Sequence, residues 1–453
     1  MSARFLQERR AGVLLHPTSL PTGRLGHDAE RWLDLLHDAG ISVWQVLPLG
    51  VPHEDNSPYQ CLSAFAMNPA LFGDMDTSSV DSVDFEEWKR TQQHWLSDFA
   101  SFMVIRQQQE EVPWYDWPDE LRLRDPLALE SIVSEHAAEI AEVCMQQYLF
   151  HRRWAEIREY ARERGILLFG DMPIFIAYDS ADIWANPDLF LLNGDFRPEY
   201  VAGVPPDYFS ETGQRWGNPH FDWDQMQLDD FAWWMQRFEH HFDIFDIVRI
   251  DHFRGLEAVW MIPESSPTAI DGFWQKTPGD MLLSTLGNRI GDLPLVAEDL
   301  GLITPEVIAL RKKYGLPGMA VLQFGFDAFD DNPHKPKNIH SDTVVYTGTH
   351  DNNTTLGWYQ SLDADMQQHV RTVLGMSGEQ NIVDTLIDVA LDTKACLAVL
   401  PMQDLLHLGE EARMNQPGTV ENNWKWRFDW EQLTPALVAK TRERLLTAGR
   451  AGV

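Results

Sequence analysis

Eight short apolar runs lie along this chain of 453 residues, and each is followed by a polar cluster. They occupy residues 13–15, 43–47, 166–169, 247–250, 295–297, 320–324, 343–346 and 396–400. Runs this short, rich in β-branched residues and without polar alternation, suit strands buried on both faces. Such strands belong to a parallel sheet with helices outside it. Helical spacing between the runs agrees. Residues 29–39 carry apolar positions on one helix face and stop at Gly40, and 307–314 follow Thr304 and Pro305. There a Thr304 hydroxyl is expected to cap free N–H groups, and Pro305 gives up no bond in the first turn. The fold class expected is α/β, a (β/α)8 TIM-type barrel with helical insertions between strands and long active-site loops. One barrel domain is expected over 1–453, with a Trp-rich helical insertion at about 76–163 and a lid loop at about 194–224 that is rich in Pro, Gly and aromatics. Residues 431–450 read as a closing helix.

Charge narrows the partners. Lys plus Arg number 36 against 69 Asp plus Glu, a net charge of −33. That surface repels phosphate backbones and anionic lipid, so neither nucleic acid nor membrane is expected, whereas a neutral substrate fits. The three cysteines, Cys61, Cys144 and Cys396, are widely spaced and form no C-x-x-C pair, which argues for reduced thiols rather than disulfides or zinc. The first residues carry no signal-peptide pattern and no run of 18 apolar residues occurs, so cytoplasmic residence is the expectation.

In a (β/α)8 barrel the chemistry gathers where the strands end. Here those positions are His16, Asp171, Asp251 with His252, Glu298 with Asp299, Gln323, His350 with Asp351, and Gln403 with Asp404. Carboxylates dominate. Breaking a glycosidic bond needs two of them, one to attack the anomeric carbon or direct water to it and one to protonate the departing oxygen. Asp251 and Glu298 end neighbouring runs. Arg249, two residues before Asp251, points to the same side of its strand and would keep Asp251 ionised. Negative neighbours would raise Glu298 and keep its proton. Taken singly, a strand-end Asp is ordinarily a cap or turn residue, the Arg249–Asp251 pair a structural ion pair, and His16 a core histidine; only the set points to catalysis. Asp327, Asp330 and Asp331 lack an ordered calcium-ligand pattern and read as a solvated turn.

The phrases Val248-Arg-Ile-Asp-His-Phe253, Val296-Ala-Glu-Asp-Leu-Gly301 and Gly348-Thr-His-Asp-Asn352 resemble the catalytic motifs of glycoside hydrolase family 77, the amylomaltases and disproportionating enzymes. Gly12-Val-Leu-Leu-His-Pro-Thr-Ser-Leu-Pro21, Ser57-Pro-Tyr-Gln60, Gly170-Asp-Met-Pro-Ile174, Gly203-Val-Pro-Pro-Asp207, Gly213-Gln-Arg-Trp-Gly-Asn-Pro219 and Asn422-Asn-Trp-Lys-Trp-Arg427 extend the resemblance over nearly the whole chain. It implies a 4-α-glucanotransferase in which Asp251 forms a β-glucosyl ester, Glu298 is the acid/base and Asp351 grips the sugar hydroxyls beside His350. It further implies that Arg249 orients the nucleophile, Tyr59 stacks on the reacting glucose, Asp171 bonds to it and Trp216 serves the acceptor. Substrate contacts are implied for Ser57, Gln214, His252 and Asn423, and the segment from Gly203 to Trp216, with Tyr208 and Phe209, resembles a flexible lid. Maltooligosaccharide, starch or glycogen chains would be donors and a glucan or glucose the acceptor, with no cofactor, metal or obligate protein partner. Two features depart from the pattern. Glu54 stands where many members carry a tyrosine tied to a remote glucan groove, and the helical insertion is shorter than usual. The rival readings are an α-glucan hydrolase with the same carboxylates and a catalytically silent glucan-binding protein.

Overall fold

A computed structural model describes residues 8–76, 80–206 and 210–452. Among these residues the strands are β1 (Arg10–Leu14), β2 (Val43–Gln45), β3 (Leu167–Pro173), β4 (Tyr200–Val204), β5 (Gln214–Pro219), β6 (Ile247–Asp251), β7 (Ala258–Pro263), β8 (Phe273–Lys276), β9 (Leu295–Ala297), β10 (Gly318–Val321), β11 (Thr343–Tyr346) and β12 (Leu397–Pro401). Eight of them, in the order β10-β11-β12-β1-β2-β3-β6-β9, form one sheet whose ladders are all parallel. The Ala297 N–H donates to the Pro317 carbonyl at 2.9 Å, so β9 meets β10 and the sheet nearly closes into the expected barrel. Each of the eight apolar runs overlaps one of these strands. Alternate residues divide between two cores. Val43, Phe169, Ile247, Val296 and Val344 fill the barrel interior, while Trp44, Leu168, Val248 and Val345 face the surrounding helices. Both faces are therefore dry, which is why the strands read as unbroken apolar runs.

Helix Gly26–Ala39 stops where predicted, because Gly40 takes φ 76°, a left-handed conformation that costs glycine little. Helix Pro305–Lys313 also begins as predicted, but the Thr304 hydroxyl makes no capping bond to its N–H groups. Pro305 has already removed one donor there, and the Thr304 carbonyl accepts the Ile308 N–H at 3.2 Å. The helices Ser82–Thr91, Leu96–Gln108, Asp119–Arg122 and Pro126–Glu135 lie between β2 and β3, followed by the long helix Ala137–Glu163. Trp154 of that long helix is buried and donates its indole N–H to the Ile244 carbonyl at 2.8 Å, which fixes the helix against the barrel wall.

The stretch 194–224 differs from a plain loop. It contains β4 and β5, which pair antiparallel, and with β7 and β8 they make a second sheet in the order β5-β4-β7-β8. Sequence pattern hides this because both strands are broken by Gly and Pro and the β7 and β8 partners arrive much later in the chain. Tyr208 and Phe209 lie outside the described residues.

Helix Pro435–Thr447 lies within the expected closing segment and is followed by a buried staple. The Arg450 guanidinium donates to the carbonyls of Leu391 (2.6 Å), Arg10, Thr393 and Ala395 (each 2.9 Å), tying the chain end to β1 and to the entry of β12. Replacing it would strand buried acceptors. Arg450→Ala is expected to cost about 3 kcal/mol, seen as a lower urea midpoint at unchanged slope. An unchanged midpoint would mean that water or Arg9 satisfies those carbonyls instead.

Candidate active site

Strand register sets the site. In neighbouring parallel strands Asp171 of β3 stands opposite Arg249 of β6. Arg249 is buried, donates to Asp171 Oδ1 (3.0 Å), the Tyr59 hydroxyl (3.0 Å) and Asp251 Oδ1 (2.8 Å), and lies in ion-pair contact with Asp171 Oδ2 (2.8 Å). Tyr59 in turn donates to Asp171 Oδ2 at 2.7 Å. Asp171 therefore has its charge matched by Arg249. Asp251 takes the remaining Arg249 contact with its side chain 31% exposed to the cleft. Burial pushes the Asp251 carboxyl well above its usual range, Arg249 opposes that rise without cancelling it, and Asp171, Glu298 and Asp351 add repulsion.

Glu298 follows β9 by one residue and has a different environment. Its two oxygens accept backbone N–H groups, from His252 at 2.7 Å and from Leu300 at 3.0 Å, and no cation touches it. Its pKa is raised to about 7, and burial is the largest cause. Sequence position points instead to negative neighbours as the source of that rise, and this is corrected by the way Asp299 is held. The adjacent Asp299 is turned away, bonded by the Met319 N–H (2.7 Å) and paired with Arg311 (3.1 Å), so its repulsion is minor. Both carboxyls are raised, but Asp251 is bonded to a cation and Glu298 only to neutral donors, an arrangement that favours the negative charge on Asp251.

Asp351 stands across the cleft with its side chain 48% exposed, 3.4 Å from His350 Nε2. His350 is buried, its pKa lowered by burial, and its ring stacks on Tyr59 with centroids 5.2 Å apart. Trp424 completes the aromatic wall, 6.1 Å from Tyr59 and 6.0 Å from His350. Two residues that strand-end reasoning passed over also converge here. Asn415 donates its side-chain amide to Asp351 Oδ1 at 2.6 Å, and Arg413 donates to the Asp351 carbonyl at 2.8 Å. They lie 64 and 62 residues beyond Asp351 in the sequence, in a connection after β12, so no local pattern marks them.

On the other side of Glu298, the His252 ring meets Trp216 edge to face at 4.9 Å, and Phe175 lies 6.1 Å from Trp216. The Trp216 indole N–H is held by the Gln214 side chain at 3.1 Å. His252 has φ 54°, and burial brings its pKa down to about 4. Ser57 accepts the Tyr59 N–H at 3.4 Å, shaping the turn that carries Tyr59. Asn423 is buried with its amide engaged in its own loop, bonding Thr419 O (2.8 Å) and the Gln416 N–H (3.0 Å). The remaining strand-end residues are engaged in the framework. Asp404 is buried and accepts three bonds from Thr347 and Thr355, Gln403 and Gln323 donate to carbonyls, and His16 is buried with a pKa brought down to about 3 by burial. Glu54 is exposed. Asp327 and Asp330 contact Lys335 and Lys337, and no cluster of three metal-ligating side chains exists among the described residues. Cys61, Cys144 and Cys396 are free thiols. No helix among the described residues is long and apolar enough to cross a membrane.

The chain is similar to known proteins over nearly its whole length. The model of glycoside hydrolase family 77, described as 4-alpha-glucanotransferase, matches residues 14–80 and 72–433. A 4-alpha-glucanotransferase of Thermus thermophilus is 43% identical over 487 aligned positions, covering 96% of this chain and 97% of that protein. One from Synechocystis is 42% identical over 482 positions, covering 95% of each. The amylomaltase of Streptococcus agalactiae, solved in complex with acarbose, superposes with a TM-score of 0.93 at 32% identity over 98% of this chain and all of that one.

Proposed function

Since this chain belongs to glycoside hydrolase family 77, the 4-alpha-glucanotransferases, and is a transferase, we propose that it moves α-1,4-glucan segments by double displacement through a glucosyl ester on Asp251. Asp251 Oδ attacks the anomeric carbon as Glu298 gives its proton to the departing 4-oxygen. The 4-hydroxyl of an acceptor then attacks the ester, and Glu298 takes that proton back. Both displacements invert, so the α configuration is retained. The observation that carries this reading is the contrast in partners between two neighbouring carboxyls, both raised by burial. Asp251 is bonded to the Arg249 guanidinium, whereas Glu298 accepts only from neutral backbone donors. Tyr59 offers its ring to the reacting glucose, Asp171 and Arg249 fix its surroundings, and Asp351 grips its hydroxyls. Ser57 and Gln214 support Tyr59 and Trp216, and Asn423 acts through the loop it braces.

Donors are maltooligosaccharide, starch or glycogen chains and acceptors are glucans or glucose, all neutral and so compatible with the net charge of −33. The cytoplasm is the proposed compartment. Transfer, rather than hydrolysis, requires the ester to meet a sugar hydroxyl before water. The β4–β5 segment, as a lid, and the Trp216–His252 pair, as acceptor platform, serve that end. Maltotriose tests the function: glucose together with maltotetraose and longer chains, at constant reducing ends, is the expected outcome. Glucose and maltose with rising reducing ends would make the protein a hydrolase instead. In the same assay Trp216→Ala is expected to slow transfer about tenfold and raise the share of products bearing new reducing ends. An unchanged product ratio would remove Trp216 from the acceptor side.

A further inference from the structure

The carboxylate of Asp351 is unusual within the site. Asp171 and Asp251 each contact Arg249, and Glu298 is clamped by two backbone N–H groups, but Asp351 is half exposed and, among the described residues, has no Lys or Arg nitrogen at hydrogen-bond distance. His350, 3.4 Å away, is lowered by burial and stays neutral at pH 7. The short bond that Asp351 accepts comes from the Asn415 amide, at 2.6 Å. That amide belongs to a segment fastened at several points. Asn415 N–H bonds the His350 carbonyl (3.2 Å), Arg413 bridges the Asp351 and Asn415 carbonyls (2.8 Å each), Trp424 N–H bonds the Met414 carbonyl (2.8 Å) and Asn423 holds Gln416 (3.0 Å). Arg413 thus directs Nε and Nη2 at main-chain oxygens, and its charge acts on the Asp351 carboxylate only from beyond hydrogen-bond distance.

We propose that Asn415 is a positioning residue for Asp351. It fixes the carboxylate in one rotamer through a neutral donor, so that orientation is supplied without drawing off the negative charge that receives sugar hydroxyls. The second Asp351 oxygen is left for substrate. A lysine or arginine in the same place would orient the group equally well but would compete with the sugar for its charge. This inference rests on the proposed role of Asp351 and deepens it. It also gives the second Asn of Asn422-Asn-Trp a physical task at one remove, since Asn423 braces the turn next to Asn415.

A double-mutant cycle on maltotriose tests it, with kcat, KM and melting temperature measured for wild type, Asn415→Ala, Asp351→Asn and the pair. Asn415→Ala is expected to lower kcat about 10- to 100-fold with KM changed less than about threefold, and to add no loss in the Asp351→Asn background. Additive losses, or wild-type kcat in Asn415→Ala, would overturn the proposal. Wild-type activity in Asp351→Asn would instead overturn the role of Asp351 itself, a distinct result. Should Asn415→Ala melt early, Asn415→Leu, which fills a similar volume without a donor or a charge, replaces it in the cycle with the same criteria.

Discussion

Asp251→Asn is expected to lower transfer by at least about 10³-fold while leaving maltooligosaccharide affinity within a few fold. The amide keeps the shape of the carboxylate but cannot displace a sugar oxygen. The framework around it is expected to survive, because Arg249 remains in contact with both oxygens of Asp171 and bonded to Tyr59. Relief of repulsion among Asp171, Glu298 and Asp351 should, if anything, raise the melting temperature. Calorimetric titration with maltoheptaose beside the transfer assay separates the two effects. Full activity in this variant would remove Asp251 from the mechanism, and loss of binding in parallel with rate would make it a binding residue.

Glu298→Gln carries the second large effect, in two measurable quantities. Loss of the proton donor is expected to cut transfer about 10²- to 10⁴-fold. The wild-type rate should also fall as pH rises past the Glu298 pKa of about 7, because the deprotonated carboxylate cannot serve the leaving oxygen. Wild-type stability falls over the same rise in pH. A carboxyl with a folded pKa of about 7, against about 4.3 unfolded, binds more protons folded than unfolded between those values. The stability that the folded carboxyl derives from its proton is therefore present at low pH and is lost as pH rises through that window. An amide does not titrate and has no such window, so Glu298→Gln is expected to be more stable than wild type at pH 8 by on the order of 1–3 kcal/mol. The two should converge near pH 4. A variant no more stable at pH 8 than at pH 4, relative to wild type, would show that Glu298 is not raised.

Much of this was legible in the chain. The eight runs become barrel strands because each is buried on both faces, and the pairing of Arg249 with Asp251 follows from their two-residue spacing on one strand. What sequence could not supply were partnerships between distant elements. Asp171 and Arg249 meet because β3 and β6 adopt one register, and Asn415 reaches Asp351 from a connection 64 residues later. The cause of the raised Glu298 pKa is hidden from the sequence for the same reason, since the direction in which Asp299 turns is decided by Arg311 and the Met319 N–H. Strand-end position alone was also a blunt guide. Asp299 and Asp404 occupy it as fully as Asp251 does, yet both are bonded into the framework. Tryptophan content is no guide to the site either, for Trp32, Trp44, Trp114, Trp154, Trp184 and Trp234 are all fully buried core.

The central claim is the covalent ester on Asp251. Its most direct test uses Glu298→Gln with α-maltotriosyl fluoride, whose leaving group needs no acid, so that ester formation proceeds while the base-dependent second step is slowed. Intact mass spectrometry is expected to show a gain of one maltotriosyl unit, and fragmentation to place it on Asp251. Release of fluoride with no adduct at any time, or an adduct on Asp171 or Asp351, would contradict the account.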